Sequence, residues 1–213
     1  MTVVAAGATL SVALEGHMTK RGEVYENPVT GERVVIRVGT AESRGERLEV
    51  DLYLRPGARV AAPHYHPGLR ESFTVASGRV GLMLDGRRAI LEPGTVRVVA
   101  PGVVHDWWNA GEDEATVRVV IEPGARFETM ILNLFGLAQD GRTDGKGMPP
   151  LLQLVLLAQE FDDVIRFARP PRLLQRVLFP LLAPLARWRG YRGSYAEYLT
   201  RLPSAVIDVP RIL

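Results

Sequence analysis

The sequence predicts a mainly β fold, an antiparallel sandwich or barrel, followed by a helical extension. Three observations carry this expectation. Short β-rich segments follow one another from residue 33 to residue 122. Brief turns rich in glycine separate them, with no helix-period segment between. Beyond Pro123 the apolar spacing changes to that of helices. Many short strands with tight connections favour stacked or closed antiparallel sheets over alternating βαβ units.

The elements read as follows. Residues 1–20 begin with a mildly apolar stretch that no basic segment precedes, so no secretory signal is read there. They are expected to form an edge strand or a poorly ordered arm, with Met18 an alternative start to Met1. RVVIRV at 33–38 is rich in β-branched residues. In 47–54, Leu48, Val50, Leu52 and Leu54 alternate with Glu49, Asp51 and Tyr53. Further strands are expected at 71–76, 79–84, 87–92, 95–100, 103–109 and 115–122. Ser77-Gly78 and Asp85-Gly86 read as hairpin loops. A helix is expected over 126–139, stopping before Asp140-Gly141. Pro149-Pro150 then opens a second helix over 151–167, because proline suits the first helical position. Pro170-Pro171 opens a third, which Pro180 and Pro184 are expected to break into short pieces. The domain reading is an arm at 1–20, a barrel at 21–123, and a helical extension at 124–213 packed on the barrel or on a second subunit.

Composition narrows the chemistry. The chain has no cysteine, which excludes disulfides, thiolate zinc sites, iron–sulfur clusters and thiol nucleophiles. Any metal must bind through nitrogen and oxygen. No P-loop, dinucleotide fingerprint, nucleophile elbow or zincin motif occurs. The net charge is +2, and lysine occurs only at Lys20 and Lys146. The apolar run between Arg176 and Arg187 is far shorter than the roughly 20 residues a membrane span needs. From Val164 to Ala196 there are seven arginines and no acidic residue. With the leucines and Trp188, this pattern suits an anionic membrane surface, or an amphipathic lid or dimer contact with arginines in water. The second reading is the expected one, with a cytoplasmic location, no nucleic-acid partner and no membrane partner.

The histidines are the main chemical signal. Of four in the chain, two sit in Pro-His-Tyr-His-Pro-Gly-Leu-Arg-Glu, residues 63–71. On a strand, His64 and His66 face the same side. Glu71 follows the Pro67-Gly68 turn and can return to the same locus, and His105 stands on a later strand. Three imidazoles and a carboxylate suit one divalent transition metal: Fe, Mn, Ni, Cu or Zn. Burying them without a cation would cost several kcal/mol, roughly, in desolvation. His17 is left outside the set.

These residues resemble the two motifs of the cupin superfamily. The first runs glycine, five residues, His-x-His, three or four residues, glutamate, six residues, glycine; here it is Gly57, His64, His66, Glu71 and Gly78, with six residues after Gly57. The second is met by Gly94, Gly102, His105 and Asn109, with Ala100 where the family places proline. The resemblance covers residues 33–122. It implies a cupin-type antiparallel jelly-roll β-barrel with a C-terminal α-helical extension. It also implies metal held by His64, His66, Glu71 and His105, and a homodimer. The expected function is a metal-dependent enzyme on a small organic molecule, oxygenation leading, with isomerisation, decarboxylation and hydrolysis open. Glu71 would be a ligand able to detach and serve as base. The alternatives are a non-catalytic small-molecule-binding module and a membrane-surface or partner-binding protein working through its arginine-rich tail.

If His105 faces inward, Trp107 does too and Trp108 faces out, so Trp107, with Phe73 and Met83, is expected to line a substrate pocket. Asn109 is expected to fasten a turn, and Arg70 to face solvent. Tyr53, Tyr65 and Asp106 read as surface, and Asp162-Asp163 as a solvated helix face.

Overall fold

The structure, a computed structural model, describes residues 19–60 and 62–210. The expected arm therefore lies outside the described residues except for Thr19 and Lys20, and so does His17. In chain order the elements are β1 (Glu23–Asn27), β2 (Glu32–Val38), α1 (Thr40–Ser43), β3 (Leu48–Leu54), β4 (His64–Tyr65), β5 (Arg70–Ser77), β6 (Val80–Leu84) and β7 (Arg87–Leu91). There follow β8 (Val96–Val99), β9 (His105–Asn109), β10 (Ala115–Glu122), α2 (Ala125–Gln139), α3 (Leu151–Glu160), β11 (Arg166–Phe167), α4 (Arg172–Trp188), α5 (Ala196–Leu199) and β12 (Ala205–Val206).

Two antiparallel sheets form the jelly roll. One has the order β12-β1-β2-β3-β10-β5-β8, the other β11-β4-β9-β6-β7. The period-2 pattern of β10 shows why the layers meet: Ala115, Val117, Val119 and Ile121 are buried, while the residues between them are not. Val119 sits opposite Val50 on β3 and Phe73 on β5. Leu82 and Trp107 face each other across β6 and β9 and close the core from the smaller sheet. The polar face of β3 is covered as well. Glu49 and Asp51 are buried, because Arg118 reaches Asp51 at 2.9 Å and Glu49 at 3.6 Å, and Arg37 reaches Asp51 at 2.6 Å.

Of the two expected hairpin loops, Asp85-Gly86 is one. Leu84 pairs with Arg87, and both loop residues have positive φ, 45° and 80°, the twist a two-residue hairpin requires. Ser77-Gly78 is not. It carries the chain out of the large sheet, where β5 pairs with β8 and β10, into the small one.

The extension departs further from expectation. α2 matches the expected helix, but the second helix stops at Glu160 rather than 167. Phe161 is buried in the main core, the chain turns, and β11 adds an edge strand beside β4. Asp162 and Asp163 therefore lie in that turn rather than on a helix. Asp162 pairs with Arg166 at 2.7 Å and Arg172 at 2.8 Å, and Asp163 with Arg126 at 3.0 Å. α4 continues through both Pro180 and Pro184. The two prolines are exposed and one turn apart, so the carbonyls they leave without intrahelical donors stay on the wet side of the helix. No helix among the described residues is long and apolar enough to cross a membrane.

Candidate metal centre

The site bridges the two sheets. His64 on β4 lies directly opposite His105 on β9 in the small sheet. His66 follows β4 by one residue, and Glu71 reaches in from β5 of the large sheet. The imidazole centroids are 4.3 Å apart for His64 and His105, 4.9 Å for His64 and His66, and 5.2 Å for His66 and His105. One ligand nitrogen from each lies within 4.8 Å of the others. All four side chains are buried, His105 completely.

Backbone carbonyls set the ring orientations. The His64 Nδ1–H donates to the Ala62 carbonyl at 2.8 Å, that of His66 to Val164 at 2.7 Å, and that of His105 to Val103 at 3.0 Å. With Nδ1 occupied on every ring, each Nε2 is left for the centre. This is the arrangement that fixes tautomer and aim in metal-binding histidines. The His105 Nε2 lies 3.1 Å from Glu71 Oε2. The His66 Nε2 is 3.5 Å from the same oxygen, and it has no hydrogen-bond partner although it is buried. A buried, orphaned imidazole nitrogen aimed at two other imidazoles and a carboxylate is the chemistry a cation would satisfy. The residues present therefore fit a divalent metal with nitrogen and oxygen ligands.

Protonation follows from the surroundings. Burial, then the charges of His105 and His66, push His64 down to about 3, so it is neutral at ordinary pH. Burial alone would raise the Glu71 carboxyl. The partners His105 and His66 outweigh it and hold Glu71 below the usual carboxylate range. Burial opposes a proton on His105, but its bond to Glu71 raises it.

The surrounding wall is aromatic. Phe73 lies 6.4 Å from His105 and 4.9 Å from Trp107, ring to ring, and both Phe73 and Trp107 point inward as expected. Met83 does not. It pairs with Asp106 on the outer face of the sheet, where its sulfur accepts the Gly86 N–H at 3.2 Å. The apolar run VGLML hides the parity of β6, and Leu82 and Leu84 are the residues that share a face with His105 and Trp107. Asp106 is buried and paired with Arg59, not a surface residue. Asn109 fastens a turn: its amide donates to the Leu54 and Asp113 carbonyls at 2.9 and 2.8 Å, and its oxygen accepts the Gly111 N–H. Arg70 pairs with Glu122 at the surface. Gly102 of the second motif donates its N–H to the His66 carbonyl at 2.8 Å, joining the two motifs.

Two contributors come from the extension and were not read from the sequence. The Val164 carbonyl holds His66, and Phe127 on α2 packs edge-on against the same ring at 5.8 Å. β11 continues this clasp. Phe167 pairs with His64, Arg166 with Tyr65, and the Ala168 N–H donates to the Pro63 carbonyl at 2.9 Å. A carbonyl acceptor has no residue signature.

Residues 51–124 match the cupin domain family. No curated protein matches the chain. Among solved structures it is similar to a sugar phosphate isomerase of the cupin superfamily from Silicibacter pomeroyi, at 23% identity and a TM-score of 0.40. That likeness covers 44% of this chain and 60% of the other. A second is the protein named KdgF from Halomonas sp., 21% identical with a TM-score of 0.41, over 46% of this chain and 86% of that one. A third is a predicted oxalate decarboxylase from Thermotoga maritima, 21% identical with a TM-score of 0.42, over 51% and 94%. The match by family runs from within β3 to β10 and includes all four side chains of the centre, so over that span the chain is similar to a cupin domain.

Proposed function

We propose that His64, His66, His105 and Glu71 bind one divalent transition metal, and that the loaded centre is an enzyme acting on a small organic molecule. The observation that carries this reading is the buried Nε2 of His66, which has no hydrogen-bond partner although it lies in a cluster of three imidazoles beside the Glu71 carboxylate. A first-row metal held there would supply Lewis acidity, or, if Fe, Mn, Ni or Cu, a redox centre for oxygenation.

The chain's own residues divide the remaining work. The carbonyls of Ala62, Val103 and Val164 accept from Nδ1–H of the three rings and so turn each Nε2 toward the centre. Glu71 is held ionised, which favours it as an oxygen ligand. The same stabilisation makes it a weak base, so ligation is its first role and proton transfer at Oε2 requires that it detach. Phe73, Phe127 and Trp107 keep bulk water out and form an apolar wall suited to the carbon skeleton of a substrate. Oxygenation is the leading reaction class; isomerisation, decarboxylation and hydrolysis use the same parts.

The test is metal content of protein purified without chelator, beside the His64→Ala/His105→Ala double variant. About one equivalent per chain in the wild type, lost in the variant, is expected. Absence of metal from the wild type, even after reconstitution with Fe²⁺, Mn²⁺ or Zn²⁺, refutes the site. The full burial of the four side chains also supports a second reading, a metal-containing module without turnover. Water proton relaxation of the Mn²⁺-loaded protein separates the two: a catalytic centre exchanges water with solvent, and a sealed one does not.

A further inference from the structure

α4 turns most of its large apolar side chains away from the protein. Leu173, Leu181 and Trp188 are 77, 70 and 78% exposed, and Val177, Leu178 and Leu185 are exposed too. At about 100° per residue these six fall within one arc of about 140°. The buried side holds Gln175, Ala183 and Ala186, and the alanines, with Phe179 and Leu182 partly buried beside them, pack on Val155 and Leu156 of α3. The helix is thus anchored on one side and offers a continuous apolar stripe on the other. Among the described residues nothing covers that stripe.

The charges say what fits it. On the same helical wheel Arg176 and Arg187 border one edge and Arg189 borders the other. All three are exposed, and none has an ion-pair partner among the described residues. No acidic residue occurs from Val164 to Ala196. A second copy of α4 laid on the stripe about a two-fold axis would bring arginine borders together with no carboxylate to pair them. An anionic surface meets both requirements at once. Pro180 and Pro184 add a depth argument. They leave backbone carbonyls without donors, which suits a hydrated interface and not the hydrocarbon interior.

We propose that α4 docks flat on an anionic lipid bilayer, its apolar stripe among the upper acyl segments and its arginines on lipid phosphates. The inference is independent of the metal centre, since it uses only residues of the opposite helix face and needs no bound ion.

The test is co-sedimentation of the full chain with vesicles of phosphatidylcholine alone and of phosphatidylcholine mixed with phosphatidylglycerol. Removing residues 164–213 would not serve, because Val164 holds His66. Point variants at exposed positions do: Leu173→Asp/Leu181→Asp for the stripe and Arg176→Ala/Arg187→Ala for the border. Wild type is expected to pellet with the anionic vesicles and to be released by salt. The leucine pair should abolish binding, and the arginine pair should weaken it by about fivefold per residue. Unchanged circular dichroism and thermal midpoint show that the variants fold. Failure to pellet, pelleting indifferent to phosphatidylglycerol, or variants that bind like wild type would each overturn the proposal. So would a solution dimer in analytical ultracentrifugation that the leucine pair dissociates, with no vesicle binding; the stripe would then belong to a second copy.

Discussion

If the C-terminal clasp sets the aim of His66, loosening it should weaken metal binding beyond any general loss of stability. The perturbation is Val164→Ala. The side chain is 1% exposed and its carbonyl accepts from His66 Nδ1 at 2.7 Å. Removing two methylene equivalents costs about 1.6 kcal/mol of transfer energy, and the cavity brings this to about 2 kcal/mol. For a chain of this size the thermal midpoint of the metal-free protein should fall by about 4–8 °C. Val155→Ala is the matched control. It is completely buried, but in the α3–α4 cluster away from the centre, and should lose similar stability. The two should part in metal affinity. Disturbing a partner that orients a ligand typically weakens binding by about 10–100-fold. Zn²⁺ titration of each apo-protein against a fluorescent chelator reads this directly. A weaker dissociation constant for Val164→Ala alone supports the clasp. Equal affinity in the two variants at equal destabilisation would refute it, and the Val164 carbonyl would then be only a convenient acceptor.

Three other expectations concern the scaffold. Burial raises Glu32 from 4.5 to about 7 against the opposing hydrogen bond from Thr30, so its neutral form stabilises the fold below about pH 4.5 and that contribution is lost as pH rises through about 7. The loss is about 3 kcal/mol, and Glu32→Gln should flatten the difference in melting temperature between about pH 5 and about pH 8. In Gly81→Ala, the new Cβ would lie 2.1 Å from the Trp108 ring, which Arg59 and Arg88 flank at 4.9 and 5.7 Å. Displacing that ring should cost about 1–3 kcal/mol in chemical denaturation while leaving metal content intact. Glu128 accepts from the backbone N–H and hydroxyl of Thr19 at 2.8 and 2.9 Å and from the Thr40 hydroxyl at 2.5 Å, all buried. Glu128→Ala should strand these donors, lower stability by about 3 kcal/mol or more, and increase hydrogen exchange at residues 19–23.

The barrel was legible because its signals are local. Alternation along 47–54 and 115–122, and the left-handed Asp85-Gly86 loop, depend on neighbours in sequence. The convergence of the histidines was legible for a related reason: residues two apart on a strand share a face. Errors arose where parity or pairing was decided at a distance. Nothing in VGLML says which residue faces in, since every one of them is compatible with either side. The fate of Ser77-Gly78 depended on which sheet the next strand joined, and a turn residue does not encode that. Asp106 looked like surface because its partner, Arg59, is far away in sequence.

The extension was the least legible part, and its misreadings share a cause. The apolar residues among 161–167 are enough for the sequence to continue the helix to 167. Two of them instead pair with β4, an energy visible only once β4 exists. In sequence Pro180 and Pro184 predict breaks because proline removes an intrahelical bond. The rule holds, but its penalty shrinks where the orphaned carbonyls reach water, and exposure is a tertiary fact. The acceptor for His66 is the extreme case. A backbone carbonyl is the same at every residue, so the side chain at 164 bears on the bond only through the path that its burial helps to fix, and a change in the path of 161–168 would remove it. Where a ligand is oriented by main chain, the function is encoded in whatever fixes that path. Here it is fixed by Phe161 and Val164 in the core and by the ladder between β11 and β4.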